Sequence, residues 1–175
     1  MALLFVRLAV AAVLLGVTVS AANFDVGEVP TVRIAPGVDM PLLGFGTGTF
    51  DEPPNNTYHA VVDALNAGYR MIDTAYNYRN QKLIAQAFHD TGVARESVFI
   101  TSKLPGCLSY NDTLAAAEVD LKELNTSYVD LLLVHFPNFN DTVGNASMRQ
   151  EQWRAMEAIY NSGKVGWLVD WLVVV

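Results

Sequence analysis

Four residues in this chain have side chains suited to proton transfer, and three of them close a short apolar segment. Met71-Ile72 runs into Asp73, Val98-Phe99-Ile100-Thr101-Ser102 into Lys103, and Val129-Asp130-Leu131-Leu132-Leu133-Val134 into His135. Tyr78 follows Asp73 by one short loop. A carboxylate, a phenol, an ammonium and an imidazole can between them donate, accept and stabilise a proton. If the three segments are consecutive parallel strands, all four side chains emerge at one C-terminal rim. That rim is where (β/α) barrels place their catalytic residues.

The elements that must position them can be read around them. Thr31-Val32-Arg33-Ile34 and Val38-Asp39-Met40 flank Ala35-Pro36-Gly37, a hairpin pattern with Pro and Gly in the turn. Leu42 to Thr47 reads as a short strand ending in a glycine-rich turn. Tyr58, Val61, Val62 and Leu65 recur at helical spacing, and Asn66-Ala67-Gly68 closes that helix. Strand Met71–Asp73, a helix over Gln81–His89 and strand Val98–Lys103 follow. Asp112 or Thr113 can cap a third helix, with Leu114, Ala117, Leu121 and Leu124 on one face. Strand Val129–His135 is almost continuously apolar, as expected where both faces are buried. A fourth helix over Met148–Asn161 shows a stripe of Trp153, Met156 and Tyr160 and stops at Ser162-Gly163.

Alternating strands and helices indicate parallel β/α units. A closed (β/α)8 TIM barrel has eight strands and typically ~250 residues. This chain supplies the first four to five units, with Lys164 to Val169 as its fifth strand. The expected architecture is an incomplete barrel behind an N-terminal hairpin. The segment Trp167 to Val175 is apolar and β-prone, and as an open edge it would invite pairing with another chain. With a stability margin of only ~5–15 kcal/mol for a whole domain, such a chain is expected to fold poorly alone or to self-associate.

The chain has 175 residues, one domain's worth, with 51% hydrophobic residues and a net charge of −7. That charge argues against nucleic acid or an anionic membrane surface as the main partner. Arg7, the apolar run Leu8–Val17 and the small residues Ser20, Ala21 and Ala22 have the form of a secretory signal over residues 1–21. The run is shorter than the ~20 apolar residues of a bilayer span, so no stable span is expected once it is cleaved. The domain then occupies 22–175, and its address is the ER lumen or the exterior. Asn55, Asn111, Asn125, Asn140 and Asn145 each open an N-glycosylation sequon, which agrees with that address. Cys107 is the single cysteine, so no intramolecular disulfide can form, and it reads as a structural or incidental thiol, not a nucleophile. His59 and His89 fall on expected helices and receive no role, and no metal site is read.

Longer blocks carry a resemblance to the aldo-keto reductases. Met40-Pro41-Leu42-Leu43-Gly44-Phe45-Gly46-Thr47 resembles that family's opening strand, and Gly68 to Ala75 with Tyr78 and Asn80 its main signature. Val98–Leu104, Tyr128–Pro137, Trp153–Glu157 and Gly163-Lys164-Val165 resemble the blocks that follow, so the likeness runs from about Thr31 to Val165. It implies hydride transfer from NADPH to a small aldehyde or ketone by a tetrad of Asp73, Tyr78, Lys103 and His135. In that scheme Tyr78 donates the proton, and Lys103 lowers the pKa of its phenol, which near 10 is a poor acid at neutral pH. Asp73 holds the lysine, and His135 binds and orients the substrate oxygen. Gly46, Thr47 and Asp73 are the implied cofactor contacts.

Departures accompany the matches. Gly48 stands where the family usually has an aromatic residue, and Gln81 where it has an acidic one. Gly166-Trp167-Leu168-Val169-Asp170-Trp171-Leu172 replaces the Ser-Asn pair into which the family's fifth strand continues, and later cofactor-binding segments have no counterpart. Each tetrad residue also has a plain structural reading: a turn cap, a surface tyrosine, a solvated strand end, a core histidine. The alternative function is a non-catalytic truncated form or interaction module that pairs with a full-length relative.

Overall fold

A computed structural model describes residues 29–48, 56–136 and 146–169. The signal-like segment, Asn55, Asn140, Asn145 and the tail beyond 169 lie outside the described residues. Strands β1 (Thr31–Ala35) and β2 (Val38–Pro41) form the expected antiparallel hairpin. The chain then alternates β3 (Phe45–Gly46), α1 (Asn56–Asn66), β4 (Met71–Asp73), α2 (Gln81–Thr91) and β5 (Phe99–Leu104). It continues with α3 (Tyr110–Glu123), β6 (Val129–Val134), α4 (Ala146–Asn161) and β7 (Val165–Val169). Strands β3 to β7 make one parallel sheet in sequence order, the expected part of a (β/α) barrel.

Two apolar layers hold this sheet. Ile72, Ile100, Leu104 and Leu132 pack beneath the helices against Val61, Leu65, Ile84, Leu121 and Met156. On the opposite face Phe99, Leu131 and Leu133 meet Met71, Trp167 and the hairpin residues Ile34, Val38 and Met40. The hairpin thereby covers part of the sheet face opposite the helices. Among the described residues, no helix is long and apolar enough to cross a membrane.

Several local expectations shift. β3 holds only Phe45 and Gly46, because these alone find register partners, in Ile72 and Asp73, while Leu42 and Leu43 are exposed. α3 is capped by Ser109, not Asp112 or Thr113: its hydroxyl accepts the Asp112 N–H at 3.2 Å. Its buried stripe includes Thr113, Ala116 and Asp120 beside Ala117 and Leu121. The buried stripe of α4 is Gln152, Ala155, Met156 and Ile159, with Trp153 half-buried and Tyr160 exposed. α2 ends where Gly92 takes φ 66°, and its N–H donates to the Phe88 and His89 carbonyls. Asn111, in the first turn of α3, and Asn125, just past its end, both have exposed side chains.

Candidate active site

Strand parity delivers three of the four chemical residues to one face. Side chains alternate sides along a strand, so Asp73 shares its face with Met71, and Lys103 with Phe99 and Thr101. His135 lies one step past β6 and keeps the parity of Leu131 and Leu133, since its N–H donates to the Leu104 carbonyl at 2.8 Å and extends the ladder. The three side chains therefore stand above the apolar cluster of that face, at its C-terminal rim.

Tyr78 reaches the same rim by a tight turn. Residues Tyr76–Tyr78 form a single 3₁₀ turn in which the Tyr78 N–H donates to the Ala75 carbonyl at 2.9 Å. Arg79 then takes the left-handed φ of 53°, unusual for a non-glycine residue, and reverses the chain. The Tyr78 ring ends 5.6 Å from the His135 ring, edge to face, and 5.3 Å from Lys103 Nζ. Its hydroxyl makes no hydrogen bond among the described residues. A Cβ on Gly48 would fall 2.9 Å from Tyr78 Cζ, so in this chain the ring packs against the bare backbone at 48.

The charges are paired across the rim. Lys103 Nζ donates to Asp73 Oδ1 at 2.5 Å and to the Thr74 carbonyl at 2.9 Å. The lysine is largely buried and the aspartate about one-third exposed. This is a charge-assisted pair with a further backbone acceptor, which limits the cost of burying the ammonium. Burial and the Lys103 cation push the His135 imidazole below its ordinary pKa, with Asp73 pulling the other way. His135 Nδ1 is buried with no hydrogen-bond partner among the described residues, and the ring stacks on Phe136 at 4.3 Å. Sealing an N–H away from any acceptor costs ~1–3 kcal/mol. The same penalty falls on a bare acceptor nitrogen there, so Nε2 is the ring edge left to contact a substrate.

Buried polar residues brace the rim from behind. Thr47 is fully buried, and both its N–H and its hydroxyl donate to the Asp73 carbonyl, at 3.0 and 3.1 Å. Its side chain is thereby committed to holding Asp73. Asn80 donates to the Thr47 carbonyl at 2.9 Å and accepts from Thr74 Oγ1 at 3.3 Å. Gly46 pairs in register with Asp73, is exposed, and has open space where a Cβ would stand. Gly46 and Asp73 thus fit the approach of a cofactor to the rim. Cys107, with φ 58°, is half-buried, and His59 and His89 are exposed on α1 and α2. Among the described residues no cluster of His, Cys, Asp or Glu could hold a metal.

Asn80 appears in the sequence only as part of a motif, and the partnership of Gln81 with Asp120 and Ser102 is not apparent there at all. The available signal was a polar residue on a buried stripe: Asp120 keeps helical spacing with Ala117, Leu121 and Leu124.

Comparison with known proteins places these residues in a family. The model of the Aldo/keto reductase family matches residues 42–167. An aldehyde reductase of Saccharomyces cerevisiae is 46% identical over 107 residues, which is 61% of this chain and 33% of the yeast protein. A glyoxal reductase of Bacillus subtilis is 39% identical over 137 residues, 77% of this chain and 46% of that one. The chain thus spans between a third and a half of the length of these relatives. Among solved structures, an aldo/keto reductase from Brucella melitensis superposes with a TM-score of 0.72 at 36% identity, covering 82% of this chain and 54% of its own. A Bombyx mori aldo-keto reductase in complex with NADP gives 0.71 at 30% identity, covering 82% and 50%. The family match reaches from the hairpin's exit into all five strands of the parallel sheet and includes all four rim residues: this chain belongs to the aldo/keto reductase family.

Proposed function

We propose that this chain performs NADPH-dependent reduction of a small aldehyde or ketone at the rim formed by Asp73, Tyr78, Lys103 and His135. The observation that carries the reading is the placement of one ammonium, Lys103, between the Asp73 carboxylate and the Tyr78 ring, with His135 beside the phenol. The yeast and Bacillus relatives named as aldehyde and glyoxal reductases support the substrate class.

When bound, the cofactor would supply the hydride, and Gly46, Thr47 and Asp73 would be the residues that hold it. Tyr78 gives its hydroxyl proton to the carbonyl oxygen as that oxygen gains negative charge. The Lys103 ammonium stabilises the phenolate left behind, and Asp73 keeps the ammonium in place. His135 donates from Nε2 to the same oxygen and orients it, a role that requires the ring to be neutral. General acid catalysis of this kind contributes typically ~10²–10⁴-fold.

The test is a titration of the purified chain with NADPH, read by quenching of tryptophan fluorescence, followed by NADPH consumption with a short aliphatic aldehyde. Saturable quenching and turnover that depends on Tyr78 are expected. Soluble protein that shows no saturable quenching would sink the reductase reading and leave an interaction role at the sheet edge. A secretory address belongs to the same proposal and is supported by the exposed side chains of Asn111 and Asn125 in their sequons. A glycosidase-sensitive mass shift checks it.

A further inference from the structure

Gln81 and Asp120 sit on neighbouring helices, at 1% and 2% exposure. Gln81 Nε2 donates to Asp120 Oδ1 at 2.8 Å, to the Ala75 carbonyl at 3.0 Å and to the Tyr76 carbonyl at 3.2 Å. A primary amide nitrogen has two hydrogens, so the three acceptors share them. The second Asp120 oxygen takes the Ser102 hydroxyl at 2.5 Å, and Ser102 is itself fully buried. Ser102 immediately precedes Lys103, while Ala75 and Tyr76 begin the turn that ends in Tyr78. One carboxyl group is therefore linked, directly or through one amide, to both backbone segments that carry the proton-transfer pair.

Stability alone does not call for a carboxyl group here. Two hydrogen bonds meet about half of a carboxylate's acceptor capacity, and burial raises the Asp120 pKa despite the Ser102 and Gln81 contacts. Among the described residues Gln81 Oε1 is also buried without a hydrogen-bond partner, because the amide turns its nitrogen toward the carbonyls of the turn. Apolar side chains of similar volume often hold a core as well or better than a buried polar cluster. What such side chains would lack is direction: they cannot hold two particular carbonyls at a fixed distance from Ser102.

We propose that Asp120, through Gln81 and Ser102, is a positioning residue that fixes the spacing between Tyr78 and Lys103. The proposal rests on the reductase reading, since that reading makes the spacing matter. Asp120 contacts no reacting atom and acts only through its two partners.

The experiment compares the full chain with Asp120→Ala, Asp120→Asn and Gln81→Met, by hydrogen exchange and by steady-state kinetics. Asn at 120 can still accept from Gln81 and can donate to the Ser102 oxygen, so both links survive without the charge. Met at 81 keeps the volume and removes the amide. The amides to follow are those of Tyr78 and Arg79, which donate to the Ala75 and Tyr76 carbonyls at 2.9 and 3.4 Å. D120A and Q81M should speed their exchange about tenfold, the effect of losing roughly one buried hydrogen bond, while the β6 amides stay protected. Turnover should fall by a similar factor at unchanged KM, and D120N should restore both readouts. Unchanged exchange in the turn, or a loss of protection spread evenly through β5 and β6, overturns the proposal. If D120A does not fold, Q81M and D120N carry the comparison. If the parent chain reduces no aldehyde, the reductase reading fails, and exchange in the turn still decides whether the tether exists.

Discussion

Lys103 Nζ lies 2.5 Å from Asp73 Oδ1 and 5.3 Å from the centre of the Tyr78 ring, so a single ammonium faces a carboxylate on one side and a phenol on the other. The lysine reaches Asp73 across the parallel register, in which Asp73 is level with Thr101. Asp73→Asn keeps the shape and an acceptor while removing the charge that pins the ammonium. Asp73 is partly exposed but Lys103 is largely buried, so the stability loss should lie between that of an exposed and a buried pair, about 1–2 kcal/mol. Turnover should fall much further, about a hundredfold, as when a preorganised electrostatic group is removed. Urea denaturation beside initial rates checks the contrast; equal small effects on both would remove Asp73 from the mechanism.

Tyr78→Phe removes one hydroxyl that makes no hydrogen bond among the described residues. The fold should be unmoved, within about 0.5 kcal/mol as for substitutions away from buried polar features. Reductase turnover should drop by ~10²–10⁴-fold, the usual contribution of a general acid, while NADPH quenching is unchanged. A variant that keeps its turnover would mean the proton comes from elsewhere.

Gly48→Ala places a methyl group 2.9 Å from Tyr78 Cζ, closer than van der Waals contact. The obstacle is the far end of a side chain, so the ring can yield and the fold should survive. Its displacement moves the donor away from the rim, and misplacement by about 1 Å can cost ~10²-fold. A loss of about tenfold in kcat/KM with an unchanged melting temperature is expected. Unchanged kinetics would show that the phenol tolerates displacement.

Asn80→Ala tests the bracing behind the rim. Asn80 is 5% exposed and ties the Thr47 carbonyl to Thr74, thereby joining the exits of β3 and β4. Removing it strands a buried carbonyl and a buried hydroxyl, at about 1–3 kcal/mol for each group left unpaired. Asn80→Asp keeps the acceptor toward Thr74 but turns a carboxylate on the Thr47 carbonyl, so it should be no better. Thermal melts rank the two variants; an unaltered Asn80→Ala melt would show the network to be dispensable.

How much of this was legible follows from which contacts are local. Asp73, Lys103 and His135 could be read because each ends an apolar strand, and strand parity carries all three to one face. Gly37 marked its turn by residue type alone, and it takes a positive φ. The buried face of α4 was harder, since Trp153, Met156 and Tyr160 fit a helical period as well as Gln152, Ala155, Met156 and Ile159 do. Only packing against α3 and β7 chooses between stripes one residue apart. The strand expected from Leu42 shrank because apolar character does not supply a register partner. The Gln81–Asp120 contact joins residues 39 positions apart, and no period in the chain links them.

His135 gives the pH dependence a definite sign. Its folded pKa lies below the ordinary 6.5, first because of burial and then because of the Lys103 cation, against the opposing pull of Asp73. Below about pH 6.5 an unfolded chain protonates this ring more readily than the native one does. The native state therefore loses stability as pH falls from the unfolded value through the folded one, and its contribution is fully present above that window. His135→Gln removes the titration, so its stability should decline less steeply between pH 7 and pH 5 than that of the parent chain. Lys103→Met should raise the His135 pKa, since it deletes the cation and leaves the Asp73 charge unpaired. Imidazole proton shifts followed by NMR measure the second effect, and urea midpoints across the pH range the first. Parallel stability curves for the parent and His135→Gln would show that the ring is solvated, and the neutral Nε2 donor would then lose its structural basis.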